Sequence, residues 1–409
     1  MLRIVELAHG EIVGQRFNQH DAGGMSDANV AAAAAPFNPL INHPERKVTL
    51  TMRSAGDRVP WANSASLLGF PNTVAYPPFL YLPAIVAVRI SQILSVGVDH
   101  SLYLARATTA LASVLANAAA LALARRSRWA LAALAMLPMT CAVDASISQD
   151  ALMIGLSLLA VGWIDRIIER GRSADPKELC LLALALAAVG MARPPYVTFA
   201  LLPLLTASRL SRGSAVATCS VLVAVGAWSA FVGAVVVTSP WDPTAQAGLL
   251  LAHPLRLGTV VMNSLRAQPP AYTVQFIGQL GWLDTALPSW YIALAWAALA
   301  VTFAAAIDGV AYRAWLPLLV AVGGALLIFV VQYFTWTAPG ADFVGGVQGR
   351  YFIPLAATAV LAVPSFRRLG PFVRVMAVAG IGALGVTTPF VIVQALVVRY
   401  YFGTLLSGQ

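Results

Sequence analysis

Charge is what this chain of 409 residues has least of: only 11% is Asp, Glu, Lys or Arg, against about 25% in soluble folds. Together with 59% hydrophobic residues and a mean hydropathy of +0.76, that scarcity excludes a disordered chain, a disulfide scaffold and an ordinary cytosolic enzyme. Cys141, Cys180 and Cys219 lie inside apolar runs without the paired spacing of a zinc or redox motif, and read as small core hydrophobes. The histidines His9, His20, His43, His100 and His253 are scattered, so spacing argues for no metal cluster and leaves a metal neither required nor ruled out. Phosphate-cradling glycine loops, a nucleophile elbow and helix-borne His pairs are all missing, which removes support for soluble-cofactor chemistry. The net charge of +9 comes without a basic run interleaved with aromatics, so no nucleic-acid partner is expected and the excess is read as setting topology.

What remains is an all-α, polytopic helical membrane protein. Residues 1–75 form the one long polar stretch, rich in Ala, Asn, Gly and Pro and close to neutral, and residues 76–409 form a transmembrane helical domain. Roughly ten apolar segments come after Tyr76, each near the ~20 residues that cross a bilayer or somewhat shorter. Helices are the default because backbone groups in lipid must be satisfied within the segment. Clear spans are expected over about 102–124, 129–147, 150–168, 214–238, 288–307, 313–335, 350–366 and 372–397. The stretch 178–206 is interrupted by Arg193-Pro194-Pro195-Tyr196 and reads as a helical hairpin with a polar apex. The stretch 76–95 opens Tyr76-Pro77-Pro78 and carries Arg89 mid-run, as suits a helix lying in the interface with its arginine snorkelling.

Basic residues orient the bundle. Arg125, Arg126 and Arg128, then Arg166, Arg170, Arg172 and Lys177, then Arg209 and Arg212, Arg313, and finally Arg367, Arg368 and Arg374 mark one side, expected to be cytoplasmic. Alternation then gathers Asp144–Asp150, the Arg193 apex and the loops 239–287 and 336–350 on the outer side, with residues 1–75. A polar tail of that length on the outside implies a further span ahead of Met1.

Four polar constellations meet on that outer face. In Ser146-Ile147-Ser148-Gln149-Asp150, Asp150 reads either as a ligand for a sugar hydroxyl or a cation, or as the cap of a helix beginning at Ala151. In Ala192-Arg193-Pro194-Pro195-Tyr196, the guanidinium suits a lipid phosphate, or snorkels to the headgroups. Gln348-Gly349-Arg350-Tyr351 places a charge at the mouth of an apolar helix, expensive unless it meets an anion or a wet cavity, which makes Arg350 the foremost candidate over an interfacial anchor. Gly278-Gln279-Leu280-Gly281-Trp282-Leu283-Asp284-Thr285 offers Trp282 for stacking on a sugar and Asp284 for its hydroxyls, or is a structural turn. Arg106 is a further phosphate candidate. Span interiors hold almost no Asp, Glu or Lys, which weakens an ion-coupled transporter.

The loop motifs Gly278–Thr285 with Leu287-Pro288 and Gln348-Gly349-Arg350-Tyr351-Phe352-Ile353-Pro354, with Ser148-Gln149-Asp150 and Tyr76-Pro77-Pro78, resemble the bacterial membrane proteins of domain-of-unknown-function family 2142 over nearly the whole chain. That family is in turn similar to the C-type glycosyltransferases (GT-C). The resemblance implies a GT-C-like bundle with outer-face loops and interfacial helices, in a bacterial inner membrane with its site facing the periplasm. It further implies a transferase moving a sugar from a polyprenyl-phosphate donor to a glycan or lipid acceptor, or else a non-catalytic transporter or assembly subunit for lipid-linked glycans. Arg350, Arg193 and Arg106 would then hold the lipid phosphate, and Asp150, Gln348, Tyr351, Trp282 and Asp284 would face the sugar, with room for a divalent cation. Members usually carry an acidic Pro-Asp-Glu motif and a histidine just ahead of a stretch similar to Leu2–Glu11; Met1 arrives too late for it, so no catalytic acid is carried over.

Overall fold

The computed structural model of the chain describes residues 1–57, 59–62, 64–207, 211–305, 315–362 and 371–402. Arg209, Arg313, Arg367 and Arg368 of the orientation argument lie outside the described residues.

The polar stretch 1–75 folds on itself. Helix α1 (Leu2–Ala8) precedes a small antiparallel sheet of β1 (Gln15–Arg16), β2 (Ala22–Asp27) and β3 (Ala65–Gly69), with Gly23 opposite Gly69 and Met25 opposite Leu67. Between β2 and β3 lie α2 (Ala28–Ala34) and α3 (Leu50–Asp57). Asp27 closes this loop, accepting from the Asn29 amide at 2.8 Å as the cap of α2 and from the Ala62 amide at 2.9 Å. A buried ion pair fastens the segment to the start of the helical bundle: Arg3 meets Glu6 at 2.5 Å and donates to the Tyr76 carbonyl at 2.8 Å. Burial pushes the Glu6 carboxyl up, against the smaller pull of Arg3. The strands are a local exception to an otherwise helical chain, carried by glycine- and alanine-rich residues with no alternating pattern to announce them.

The bundle begins with α4 (Leu82–Ile93), which exposes Leu82, Val86, Ile90 and Ile93 as one stripe with Arg89 exposed beside it. Its 12 residues reach only about 18 Å, too short to cross. It packs along α5 (Val98–Leu123), and the chain then returns through α6 (Arg128–Ala135) and α7 (Pro138–Asp144). The single span expected over 129–147 is therefore two helices, broken at Leu137-Pro138: proline takes the first position of α7, where its missing N–H costs nothing.

Helix α8 (Gln149–Glu169) is the centre, with 67% of its most apolar window buried against 28% for α5. The expected hairpin comes next as α9 (Pro176–Ala192) and the 3-10 segment Pro194–Thr206, which return to one end, where the Ala174 amide meets the Thr206 carbonyl at 3.0 Å. Then come α10 (Arg212–Val235), the loop helices α11 (Pro243–Ala252), α12 (Arg256–Ala267) and α13 (Pro269–Gly278), and a two-residue hairpin of β4 (Gln279–Leu280) and β5 (Thr285–Ala286). The chain closes with α14 (Ser289–Ala305), α15 (Trp315–Thr335), the 3-10 turn Gly349–Phe352 leading into α16 (Ile353–Val360), and α17 (Pro371–Tyr400). The helical run expected over 350–366 is thus a 3-10 turn and a short helix as far as the described residues reach.

Among the described residues five helices, α5, α8, α10, α15 and α17, are long and apolar enough to cross a membrane. Exposed Trp282, Trp290 and Trp336 ring the end of the bundle that carries the loops and residues 1–75, and exposed Trp315 marks the other, as interfacial aromatics do. At that second end Arg125, Arg126, Arg128, Arg166, Arg170 and Arg172 collect, as the charge pattern required. There Asp165, buried in α8, accepts from the Arg125 and Ser127 amides at 2.8 and 3.0 Å and from Arg126 at 3.2 Å, satisfying donors at the start of α6.

Lipid supplies no hydrophobic drive between helices, so α5 and α8 associate through small residues that let backbones approach. A Cβ on Gly162 would stand 2.5 Å from the Ala120 carbonyl oxygen of α5, a distance no side chain tolerates. Gly162→Val therefore forces α8 away from α5 and is expected to destabilise the fold by about 1–3 kcal/mol. Ala118→Val, on the exposed flank of α5, is expected to change thermal unfolding in detergent little; equal melting of the two variants contradicts the close-packed seam.

Candidate functional site

The site is built at three helix ends, the start of α8, the close of α9 and the turn that leads into α16. Ser148 caps α8, its hydroxyl accepting from the Asp150 amide at 3.2 Å, so the cap falls to Ser148 and the Asp150 side chain is released to do something else. Helix α9 ends at Arg193 because the two prolines after it force extended backbone there, with φ −148° and ψ 103°. The third end is the 3-10 turn carrying Arg350 and Tyr351, which lies so close on α13 that a Cβ at Gly349 would come within 2.2 Å of the Tyr272 carbonyl oxygen. The Gly349 amide is held by the Gln275 side chain at 2.9 Å.

These ends deliver one carboxylate to two guanidiniums. Asp150, 5% exposed, accepts from Arg193 Nη2 at 2.9 and 3.3 Å, and Arg350 Nε stands 3.4 Å from its Oδ2. The Arg193 guanidinium also lies 3.9 Å above the centre of the Tyr351 ring, a cation–π contact, and the Tyr351 carbonyl is pinned by the Tyr196 hydroxyl at 2.8 Å. Two positive charges face one negative among the described ion pairs here. The group has donors and acceptors to spare: Arg193 Nε, Arg350 Nε, Gln149 Oε1 and Gln348 Oε1 are buried without a hydrogen-bond partner. In a protein interior such atoms are normally satisfied, so four of them, on the two arginines of the ion pair and on glutamines one and two residues from Asp150 and Arg350, mark a place built for something further.

The site is recessed. Ser113 stands about 22 Å along α5 from its start, yet its hydroxyl bonds to the Ala151 carbonyl in the first turn of α8 at 3.1 Å. The N-terminal half of α5 therefore extends beyond Asp150, where α4 packs along it and α1 packs on α4. Tyr76 belongs to the site's electrostatics: burial pushes its phenol up, with Arg193 pulling down and Asp150 pushing up by smaller amounts.

Of the residues expected to act, Asp150, Arg193, Arg350 and Tyr351 thus meet, and Gln348 precedes the turn that carries two of them. Arg106 is exposed on α5 and donates instead to the Ala145 carbonyl at 2.7 Å. Trp282 and Asp284 form a separate group. Trp282 is exposed, and Asp284 is bonded by Arg399 from the end of α17 at 2.6 and 2.9 Å, while Arg399 also reaches the Leu40 and Arg46 carbonyls at 2.8 and 3.2 Å. Burial raises the Asp284 carboxyl, but the hydrogen bond and charge of Arg399 prevail and hold it below its usual value. Beside it lies a mostly apolar cavity of about 490 Å³, lined by Lys47, Asp284, Leu287, Val391 and Arg399 among others. No group of His, Cys, Asp and Glu that could hold a metal occurs among the described residues.

Gln149, Tyr76 and Tyr196 stand within the sequence motifs without a site role of their own there. Gln149, wholly buried, ties α8 to the end of α9 through the Ala192 carbonyl at 2.9 Å; its only signal was its place beside Asp150. Arg399 gave none, since its partner lies 115 residues away.

The sequence profile of the DUF2142 family, described as predicted membrane proteins, matches residues 1–359, and the chain belongs to that family. No match was found to a curated protein or to a solved structure.

Removing Arg193 leaves a buried carboxylate with only the looser contact to Arg350. Arg193→Ala is expected to destabilise the protein by about 3–5 kcal/mol, and Asp150→Asn on that background to recover part of the loss; thermal unfolding of the two variants and the double variant measures both. For Asp284 the direction is opposite to that of a raised group. Its folded pKa lies below the unfolded value of about 3.9, so its contribution is complete above that pH and is lost as pH falls through the folded value. Melting temperature tracked downward from about pH 5 to 3 should drop more steeply in the wild type than in Asp284→Asn.

Proposed function

We propose that the chain is a membrane glycosyltransferase that moves a sugar from a polyprenyl-phosphate donor to a cell-surface glycan or lipid acceptor, in a bacterial inner membrane with its site toward the periplasm. The observation that carries this reading is the pairing of Arg193 and Arg350 across Asp150, with one positive charge in excess and unpartnered N–H donors on both side chains. Guanidinium presents a planar fork that matches phosphate oxygens, and at a recessed, lipid-level site it is the group that suits a lipid-linked phosphate. The 3.4 Å contact of Arg350 is the loosest in the group and its side chain the most exposed, at 32%, so Arg350 is the one free to turn toward a ligand. Asp150 acts as a spacer that keeps two like charges side by side.

In the transfer, the acceptor oxygen bonds to the anomeric carbon, the bond from that carbon to the phosphate oxygen breaks, and the acceptor proton passes to a base. Negative charge grows on the departing polyprenyl phosphate, and Arg350 with Arg193 stabilises it there. Gln348 and Tyr351 border the sugar in this reading. Asp284 and Trp282 belong to their own hairpin.

One observation favours a second reading, a non-catalytic transporter or assembly subunit for lipid-linked glycans. Among the described residues Asp150 is the carboxylate in ion-pair range of the two arginines, and it is already engaged by both; phosphate capture without transfer needs nothing more.

Labelled polyprenyl-phosphate sugars separate the two. As a transferase the protein releases polyprenyl phosphate, and Arg350→Ala lowers turnover about 10²–10³-fold, the usual loss for one charge-stabilising donor. Binding of the lipid without release in the wild type, weakened in Arg350→Ala, supports the assembly subunit. Undiminished turnover in Arg350→Ala removes the arginine from the site.

A further inference from the structure

At the opposite end of the bundle from Asp150, the last turn of α8 and the loops beside it enclose a hollow of about 530 Å³ lined by Arg125, Arg166, Glu169, Arg170 and Arg172. Four guanidiniums face one carboxylate. Glu169 is shared with Arg125 at 3.7 Å, both side chains half exposed, and Arg170 is already engaged by Glu178. Arg166 and Arg172 are exposed and have no ion-pair partner among the described residues.

Two bland accounts exist for such arginines: cations near the last turn of α8 complement the helix dipole, and basic residues collect on one side of membrane proteins. Neither explains why they enclose a hollow, nor what leads to it. On α5 the residues Leu111, Leu115, Ala118 and Ala122 are all exposed, at the alternating spacing of four and three that keeps them on one face of a helix. This apolar stripe spans about 17 Å, close to the hydrocarbon depth of one leaflet, half of roughly 30 Å. It ends one turn before Arg125, at the wall of the hollow.

We propose that this arginine hollow is a binding site for the phosphate headgroup of an anionic phospholipid, whose acyl chain lies along the Leu111–Leu115–Ala118–Ala122 stripe. The headgroup takes up the charge that Glu169 leaves over, chiefly on Arg166 and Arg172. A free phosphate has the headgroup's chemistry but no use for the stripe, so the lipid is the ligand that accounts for both features. The site is independent of the Asp150 cluster and stands whether or not the chain transfers sugars.

The test uses the full chain in a neutral detergent, titrated with phosphatidylglycerol, with phosphatidylcholine and with inorganic phosphate, and read by native mass spectrometry of bound lipid. Phosphatidylglycerol should bind well above phosphatidylcholine, and inorganic phosphate should not displace it at equal concentration. Each guanidinium near an anionic headgroup contributes about a fivefold gain, so Arg166→Gln with Arg172→Gln should weaken phosphatidylglycerol binding roughly thirtyfold. Replacement of both by lysine should restore most of it, because charge rather than a forked geometry carries the attraction. Arg172→Gln alone, in the loop beyond α8, gives a readout of about fivefold even if the double variant fails to fold. Equal phosphatidylglycerol binding by wild type and the glutamine variants overturns the proposal. So does inorganic phosphate that competes as well as the lipid, since the hollow would then be a soluble-anion site.

Discussion

A carboxylate taken out of water has to be met by positive charge, and that demand at Asp150 organises the upper part of this bundle. Burying an ion costs several kcal/mol unless partner and geometry compensate, so Asp150 at 5% exposure obliges Arg193 and Arg350 to stay beside it. Those arginines sit at the ends of other elements, one where α9 gives way to Pro194 and one in the turn before α16. Each break in a helix leaves backbone groups that lipid will not satisfy, and the breaks are tolerated because they face the protein interior. The same tie joins elements that pack on one another: α8 touches both arms of the hairpin and α16, and α15 lies against the 3-10 arm of the hairpin and α16.

Segment-scale features of the fold were open to reading from composition. Long apolar runs bounded by arginines locate α5, α8, α10, α15 and α17, and the prolines after Arg193 announce a hairpin apex with the charge on it. The break at Pro138 was harder, because a proline in the first turn of a helix and a proline inside one look alike in a continuous apolar run. The sheet in residues 1–75 was illegible for a different reason: β2 is Ala-Gly-Gly-Met-Ser-Asp, held by pairing with Leu67 and Leu68 and by the buried Glu6, and it has no amphipathic pattern of its own.

Site residues divide the same way. Arg350 was legible because a charge at the mouth of an apolar span is costly wherever it is placed. That it meets Asp150 was not, since 200 residues separate them and neither carries a mark of the other. Asp284 shows the reverse. Its motif read as a ligand loop or a structural turn, and the structure gives it a fixed partner in Arg399, whose further bonds to the Leu40 and Arg46 carbonyls make the pair a clamp between residues 1–75 and the last helix. Lys47 completes the clamp by donating to the Val398 and Arg399 carbonyls at 3.1 and 3.0 Å, capping the end of α17.

The arginines of this chain therefore serve two electrostatic regimes, and burial decides which. Arg193 and Arg350 are matched to a carboxylate in a recess where the field is poorly screened, so a ligand there must replace or extend contacts that already exist, and orientation governs what binds. Arg166 and Arg172 face water without an ion-pair partner among the described residues, where attraction is screened within about 8–10 Å at ordinary salt and shape matters less than net charge. A group bound at the first place is held by geometry, and the headgroup of one bound at the second by charge, with its acyl chain on the apolar stripe of α5. Raising the ionic strength should release the second far more readily than the first, because only exposed pairs lose most of their attraction to salt. In the two proposals the ends are different kinds of phosphate receptor on one helix, since α8 carries Asp150 at its first turn and Arg166 at its last.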